Sequence, residues 1–343
     1  NHYTLVTGLR PVHHGIVGNQ FYDPDAATVF RGDDRALQGE ARWWGGEPIW
    51  VTAERQGRRA FVLSWPGNEA PIGGVRPSRW SAFDDGLSYD ARVDSVLAWL
   101  RLPDDQRPAF ATLYFDGVDN AGHRYGPDAP ETAAAVAEVD RALTRLLRDL
   151  ERRSFLDQTN LVIVSDHGMT EMRTDRVVFV DDYLDPDLRT DIERILWDEP
   201  TGVWPAPGRA DAVYEALRDA ELPHVRVVRR EETPAHLHVQ ASPRVAPILL
   251  MGEEGWTITT RARWAQRDYP AEPVWGTHGF DPRLPSMGGL LLARGPSFRR
   301  GVVVDPVENV HVYALMTHAL GLRPAPHDGD LDAARAFLRR GGR

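Results

Sequence analysis

Five side chains that could bind a metal follow apolar runs of the sequence. Asp119 and His123 come after one run, Asp166 and His167 come after a second, and His278 lies in a glycine-rich segment near the C-terminus. Carboxylate oxygens and imidazole nitrogens are ligands that suit zinc. A lone aspartate or histidine at a strand end is more often a cap or a loop residue. The co-occurrence of these five residues predicts a metal site.

The spacing of these residues allows their side chains to converge. Asp119 and His123 are four residues apart, so a helical turn places both on one face. Asp166 and His167 are adjacent, and a neighbouring glycine permits the sharp bend that would turn both into one crevice. In α/β proteins ligands bind at the carboxyl ends of parallel strands. We therefore expect the two pairs and His278 to meet at such an edge.

Other histidines have spacings that do not complete a site. His236 and His238 are two residues apart, at and next to a predicted strand at 237–240, and would share one face of a strand, but no further ligand follows them. His13 and His14 are adjacent, without a nearby carboxylate pattern. We interpret all four as structural residues.

Apolar runs typical of buried strands alternate with amphipathic segments along the chain. We predict strands at 60–64, 110–115, 161–164 and 289–293, a short helix at 1–8, and longer helices at 130–150 and 309–320. This alternation predicts an α/β fold with a mostly parallel central sheet and helices on both faces.

The composition and the pattern of predicted elements change between residues 200 and 270. A helix near 210–220 is followed by short alternating segments, and prolines are frequent. We interpret 200–270 as a smaller inserted cap lobe, and 1–199 together with 271–343 as the metal-binding core.

The composition excludes several kinds of protein and site. The 343 residues carry a formal net charge of −10, so a broad nucleic-acid groove is not expected. The chain has no cysteine, which excludes thiolate ligands and disulfides. The apolar runs are too short to span a bilayer. A bound phosphate would need its positive charge from something other than the surface, such as metal ions.

Several strings occur in an order typical of one enzyme family. They are NHYTLVTGLRP at the start, HGIVGN ending at Asn19, WWGGEPIW, SWPG, the segment from Asp119 to His123 followed by RYGP, VSDHGM, GTHG and LPSM. Because these strings occur in this order, the chain resembles the bacterial nucleotide pyrophosphatase/phosphodiesterases of the alkaline phosphatase superfamily. The match continues to the end of the chain. The resemblance implies an alkaline-phosphatase-like fold and a zinc-dependent hydrolase.

The resemblance also implies roles for the five metal-binding candidates. One zinc would be held by Asp119, His123 and His278. The second would be held by Asp166 and His167, together with an aspartate from the first strand and the nucleophilic threonine of the family.

Two further residues match substrate-binding positions of the family. Asn19 corresponds to an asparagine that donates a hydrogen bond to a phosphoryl oxygen in the transition state. Phe83 falls where an aromatic residue, usually tyrosine, stacks on the nucleobase. The tryptophans of 43–50 would also suit a nucleotide, although core packing explains them equally well.

The start of the sequence departs from the family pattern. The family's threonine lies three positions before the residue that matches Asn1, and its first metal-binding aspartate lies further upstream. We expect the chain as printed to be N-terminally incomplete, to bind one zinc reasonably and the other poorly, to form no phosphothreonine intermediate, and therefore to be inactive because the nucleophile is absent.

The expected function is hydrolysis of phosphodiester and pyrophosphate bonds in small nucleotides, with release of nucleoside 5'-monophosphate through a phosphothreonine in the complete protein. Two alternatives stay open. One is a phosphonoacetate hydrolase or a lysophospholipid or choline-type phosphodiesterase of the same superfamily, and the other is a catalytically silent fragment that binds zinc or nucleotide. The resemblance further implies a periplasmic or secreted location, and we expect a monomer.

Overall fold

Short strands alternate with helices along the chain. The computed structural model describes residues 1–266 and 273–339. The helices in these ranges are α1 (His2–Thr7), α2 (Pro11–His14), α3 (Arg35–Gln38), α4 (Ile49–Arg55), α5 (Tyr89–Leu100), α6 (Gly117–Tyr125), α7 (Pro130–Arg152), α8 (Ala210–Asp219), α9 (Arg261–Ala265) and α10 (Val312–Leu320). The strands are β1 (Gln20–Asp23), β2 (Thr28–Arg31), β3 (Ala60–Leu63), β4 (Arg79–Ser81), β5 (Phe110–Ala111), β6 (Leu161–Val164), β7 (Thr170–Arg173), β8 (Val177–Phe179), β9 (Ile192–Leu196), β10 (Thr201–Pro205), β11 (Val225–Arg229), β12 (Ile248–Gly252), β13 (Thr257–Thr259), β14 (Val274–Thr277) and β15 (Leu291–Arg294).

The strand ladders combine parallel and antiparallel pairing. β3 pairs in parallel with β4 and with β5, and β8 pairs in parallel with β13. The other pairs are antiparallel, including β6 with β15 and β7 with β14. The predicted α/β class is therefore confirmed. In the described residues, however, parallel and antiparallel pairs lie in separate ladders instead of one mostly parallel central sheet.

The main core lies around β3 and the N-terminal helices. Trp43, Trp50 and Tyr313 are almost fully buried there, with β1 and β2 covering one side. The tryptophans of 43–50 thus pack inside the protein, and the interpretation that they favour a nucleotide is wrong. Large aromatic rings bury the most apolar surface per residue, which explains their place in the core.

The long helix α7 connects the two segments that carry the predicted ligand pairs. It begins with Pro130 in its first turn, where the missing N–H costs nothing. Its C-terminal half buries Ala142, Leu146 and Leu150 against α5. Val136, in the N-terminal half, is 51% exposed, so only part of the predicted apolar face reaches the core. Within the described ranges, no helix is long and apolar enough to cross a bilayer.

A second core forms around an antiparallel sheet with the strand order β11, β12, β10, β9. Val213 and Leu217 of α8 pack into it. We propose that this core is the inserted lobe, with its sheet beginning at β9, ahead of the predicted start at residue 200. The predicted boundary at residues 270 and 271 lies outside the described residues.

The predicted strand at 237–240 is wrong. A 3₁₀ turn covers Ala235–Leu237, and His238 follows in the left-handed conformation with φ 53°. Both edges of β12 are already occupied by β10 and β11, so this segment has no place beside that strand. Tertiary context has overridden a local β preference.

Candidate metal centre and family

The helix α6 presents Asp119 and His123 from one face. A buried guanidinium, that of Arg92, anchors the start of the helix through a 2.7 Å bond to Asp116. The backbone N–H of Gly117 donates to the Tyr89 hydroxyl over 2.6 Å. Residues four apart on a helix are neighbours, as the spacing predicted. Nε2 of His123 lies 3.5 Å from Oδ2 of Asp119.

The strand β14 brings His278 to the same place. Nδ1 of His123 lies 2.9 Å from the carbonyl oxygen of Gly276, to which it can donate only if that nitrogen carries the proton. That tautomer leaves Nε2 free to bind a metal. Gly276 must be a glycine, because a Cβ there would lie 2.4 Å from the carbonyl oxygen of Gly122. Close approach of two backbones thus sets the position of both histidines.

Asp119, His123 and His278 form a group that fits a cation. One ligand atom from each lies within 4.8 Å of the other two. Oδ1 of Asp119 is buried without a hydrogen-bond partner in the described residues, and it lies 3.8 Å from Nε2 of His278. A buried carboxylate oxygen left without a donor is costly unless a positive charge neutralises it. The donor chemistry therefore matches a metal ion.

The local electrostatics agree with this interpretation. Burial raises the pKa of the Asp119 carboxyl, although the neighbouring His123 and His167 oppose the rise. Burial lowers the pKa of His278 to about 3. His278 is then neutral at pH 7, which is the form that binds metals. A bound cation would favour the charged form of Asp119.

Asp166 and His167 follow β6 and lie against the first group. The His167 ring stacks on that of His278 with centroids 3.6 Å apart. Its Nδ1 lies 2.8 Å from the carbonyl oxygen of Gly168, while its Nε2 is 3.1 Å from Oδ2 of Asp166. If Nδ1 carries the proton, Nε2 and Oδ2 are two acceptors facing each other, an arrangement that a shared cation satisfies. The structure thus brings together all five predicted ligands.

Charges around Asp166 and His167 shift their titration in opposite directions. Burial would raise the pKa of the Asp166 carboxyl, but His167 and His2 together hold it below its usual range. Burial would lower the pKa of His167, but the adjacent negative charge of Asp166 outweighs burial and raises that pKa. The glycine that permits the bend is tightly packed, since a Cβ on Gly168 would lie 2.0 Å from the carbonyl oxygen of Ser286.

The two predicted substrate-binding residues lie at exposed positions. Asn19 precedes β1, and its carbonyl oxygen accepts a hydrogen bond from Gly32 over 2.7 Å. Across residues 1–266 and 273–339, no hydrogen bond joins its side chain to the five predicted ligands. Phe83 is 45% exposed and meets Tyr114 edge to face at 5.9 Å. Tyr114 in turn contacts His2. Phe83, Tyr114 and His2 thus form a row of rings, and its His2 end lies beside Asp166.

Three of the four histidines interpreted as structural, namely His13, His14 and His236, make side-chain contacts away from the ligand group. His13 pairs with Asp328 at 2.7 Å, and His236 pairs with Asp281 at 2.9 Å. His14 is buried, and its Nε2 lies 2.9 Å from the hydroxyl of Thr4. The sequence reasoning missed His2, whose Nδ1 lies 3.2 Å from Oδ2 of Asp166. No local spacing could reveal a contact over so long a sequence separation.

Comparison with known proteins gives a consistent result. The model of the type I phosphodiesterase / nucleotide pyrophosphatase family matches residues 1–281. The bis(5'-adenosyl)-triphosphatase enpp4 of Xenopus laevis is 34% identical over 340 residues, which cover 98% of this chain and 71% of that protein. Human ectonucleotide pyrophosphatase/phosphodiesterase family member 7 is 37% identical over 343 residues, which cover 96% of this chain and 72% of the relative.

A solved structure is similar along almost the whole chain. Inactive murine ectonucleotide pyrophosphatase / phosphodiesterase 5, in complex with AMP, superposes with a TM-score of 0.89 at 31% identity, covering 99% of this chain and 87% of that one. The expected fold and enzyme class are both confirmed. The chain belongs to the type I phosphodiesterase / nucleotide pyrophosphatase family of hydrolases.

Proposed function

We propose that this protein hydrolyses phosphodiester and pyrophosphate bonds of small nucleotides and releases nucleoside 5'-monophosphates. One observation carries the proposal: the buried, unpartnered Oδ1 of Asp119 lies beside the ligand nitrogens of His123 and His278. Such a group is suited to metal-assisted displacement at phosphorus. A relative described as a bis(5'-adenosyl)-triphosphatase and a similar structure holding AMP support a nucleotide as the substrate.

Zinc is the metal that we propose, at two positions. Asp119, His123 and His278 would hold the first ion, and Asp166 and His167 would contribute to the second. Imidazole nitrogens favour zinc over magnesium or calcium, which prefer all-oxygen ligands. When bound, zinc neutralises phosphate charge and acts as a Lewis acid on phosphate oxygens.

The chain's own side chains would bind and orient the substrate. We propose that the Asn19 amide donates a hydrogen bond to a phosphoryl oxygen, a contribution typically worth about 3 kcal/mol of barrier. Phe83 would stack on the nucleobase, and its contact with Tyr114 holds one edge of the ring in place. Since the chain has a net charge of −10, its surface would not attract polynucleotides.

For the covalent step we propose the route that the family resemblance implies. The threonine that the resemblance places three positions before the residue matching Asn1 would attack phosphorus through its hydroxyl oxygen as the bond to the leaving oxygen breaks, and the hydroxyl proton would pass to the leaving group. Water would then hydrolyse the resulting phosphothreonine ester and release the nucleoside monophosphate. Trapping with a labelled nucleotide, followed by mass spectrometry of a protein that carries this threonine, would detect the ester.

The test is a substrate panel offered to the zinc-loaded protein with the family's threonine segment present ahead of Asn1. A nitrophenyl nucleotide ester, ATP and a dinucleoside polyphosphate should be hydrolysed, whereas phosphonoacetate and a lysophospholipid should not. Replacing Asn19 with alanine should lower kcat about 100- to 1,000-fold on the nucleotides. Turnover confined to phosphonoacetate or the lipid would contradict the nucleotide assignment. Binding of AMP by calorimetry with no turnover of any substrate would favour a silent binding protein.

We also propose an exported, periplasmic or secreted monomer. The human relative is described as an ectonucleotide pyrophosphatase/phosphodiesterase, and other relatives are venom phosphodiesterases of Crotalus adamanteus. Cell fractionation would test the location, and light scattering of the purified protein would test the monomer.

A further inference from the structure

His2 lies beside the second group of predicted ligands. Its Nδ1 is 3.2 Å from Oδ2 of Asp166, and the same oxygen is 3.1 Å from Nε2 of His167. The side chains of His2 and Asp166 are 24% and 23% exposed, so water screens this contact only partly. The carboxylate of Asp166 therefore has an imidazole neighbour that comes from a different part of the chain.

Two aromatic rings hold the His2 imidazole in this orientation. Trp65 meets it edge to face at 5.4 Å and Tyr114 does so at 5.3 Å. The indole N–H of Trp65 also donates to the His2 carbonyl oxygen over 3.1 Å. Displacement of the imidazole from Asp166 would break both ring contacts. The aromatic surroundings thus keep the imidazole beside the carboxylate.

We propose that His2 is a positioning residue, whose Nδ1–H donates to Asp166 and sets the rotation of that carboxylate. The inference rests on the proposed second metal position. A metal-binding carboxylate with one oxygen held by a hydrogen-bond donor loses less rotational freedom on binding, and loss of such outer partners typically lowers metal affinity about 10- to 100-fold. Because Asp166 and His167 are the two ligands proposed for this position among the described residues, metal binding there depends strongly on the orientation of each side chain.

The test uses three substitutions of His2 that distinguish hydrogen-bond donation by its side chain from a role in packing alone. In His2→Asn, the amide nitrogen takes the place of Nδ1, whereas in His2→Gln it takes the place of Nε2. His2→Ala removes both. Zinc titration calorimetry on the full chain should show that the alanine and glutamine variants bind the second ion about 10- to 100-fold more weakly. The asparagine variant should recover most of this affinity.

A matched control comes from another histidine–aspartate pair. His13 contacts Asp328 at 2.7 Å, remote from the predicted ligands, so His13→Asn should leave both zinc affinities unchanged. A measurement without metal adds a second readout. Side-chain ¹⁵N spectra of the metal-free protein should show His2 as the Nδ1–H tautomer, and Asp166→Asn should move that signal.

The outcomes distinguish this inference from the proposed function. If the unsubstituted chain binds only one zinc, the proposal of a second metal position is wrong, and the proposed role of His2 is wrong as well. If the chain binds two ions and His2→Ala binds both as tightly, only the role of His2 is overturned. A glutamine variant that recovers affinity as well as asparagine, or an Nε2–H tautomer in the spectra, would also overturn it.

Discussion

At the scale of single residues, the carboxylate of Asp119 should lower the stability of the metal-free protein while it provides a ligand for a cation. Oδ1 of Asp119 is buried without a partner, and burial raises the pKa of its carboxyl. Asp119→Asn removes the cost of a buried charge, so the metal-free protein should unfold at an equal or higher temperature, while zinc affinity at the first position is lost. Asp128→Asn, at an exposed acid on the same segment, should change neither property. Calorimetry with EDTA and with zinc would check both, and a clear loss of metal-free stability in Asp119→Asn would contradict the argument.

A second residue, His14, should make stability depend on pH. Burial lowers its pKa from 6.5 to about 3, so the unfolded chain binds a proton that the folded chain excludes between these values. The free energy of unfolding should therefore fall as the pH falls below 6.5, by about 1.4 kcal/mol per pH unit for each such histidine. His14→Gln keeps a donor for Thr4 and should reduce this slope, measured by denaturant unfolding from pH 7 to pH 4. An unchanged slope would show that His14 is not buried in its neutral form.

At the scale of elements, one arginine determines where the helix α6 begins. The guanidinium of Arg92 bonds Asp116 and the carbonyl oxygens of Leu87, Tyr114 and Asp84 over 2.7–3.2 Å. Arg92→Met leaves Asp116 without its charged partner, which should cost about 3–5 kcal/mol. Because α6 carries two predicted ligands, zinc affinity should fall as well.

An exposed arginine serves as the matched control for that substitution. Arg145 of α7 pairs with Asp90 and Asp94 of α5 while its side chain is 36% exposed. Arg145→Met should cost about 1 kcal/mol or less, because surface ion pairs contribute little. Chemical denaturation of both variants would check the difference. Equal losses in the two proteins would mean that Arg92 does not anchor the helix.

At the scale of the whole molecule, a metal would link distant parts of the chain. His123 and Gly276, whose hydrogen bond positions the first ligand group, are 153 residues apart. An ion that binds only the folded chain stabilises it, by about 2.7 kcal/mol at a free concentration 100 times its Kd. Zinc should thus raise the unfolding midpoint and EDTA should reverse the effect, whereas Asp119→Asn should respond less because it keeps only the second position. Equal stabilisation of that variant would place the ion elsewhere.

The sequence alone determined the features that depend on neighbours along the chain. The convergence of Asp119 and His123 and the helix that begins at Pro130 were predictable from residue types and short-range periodicity. Both follow from backbone geometry that repeats every few residues. The family was identified by the resemblance of its motifs and their order along the chain.

Only the tertiary structure decided the features that depend on packing between distant segments. The bond from His123 to Gly276, the approach of His2 to Asp166, and the turn that replaces the predicted strand at 237–240 are of this kind. Each depends on which surfaces meet once the strands have paired and the core has closed. Residue spacing cannot specify such meetings, because contacts between remote segments are selected by the packing of the whole chain.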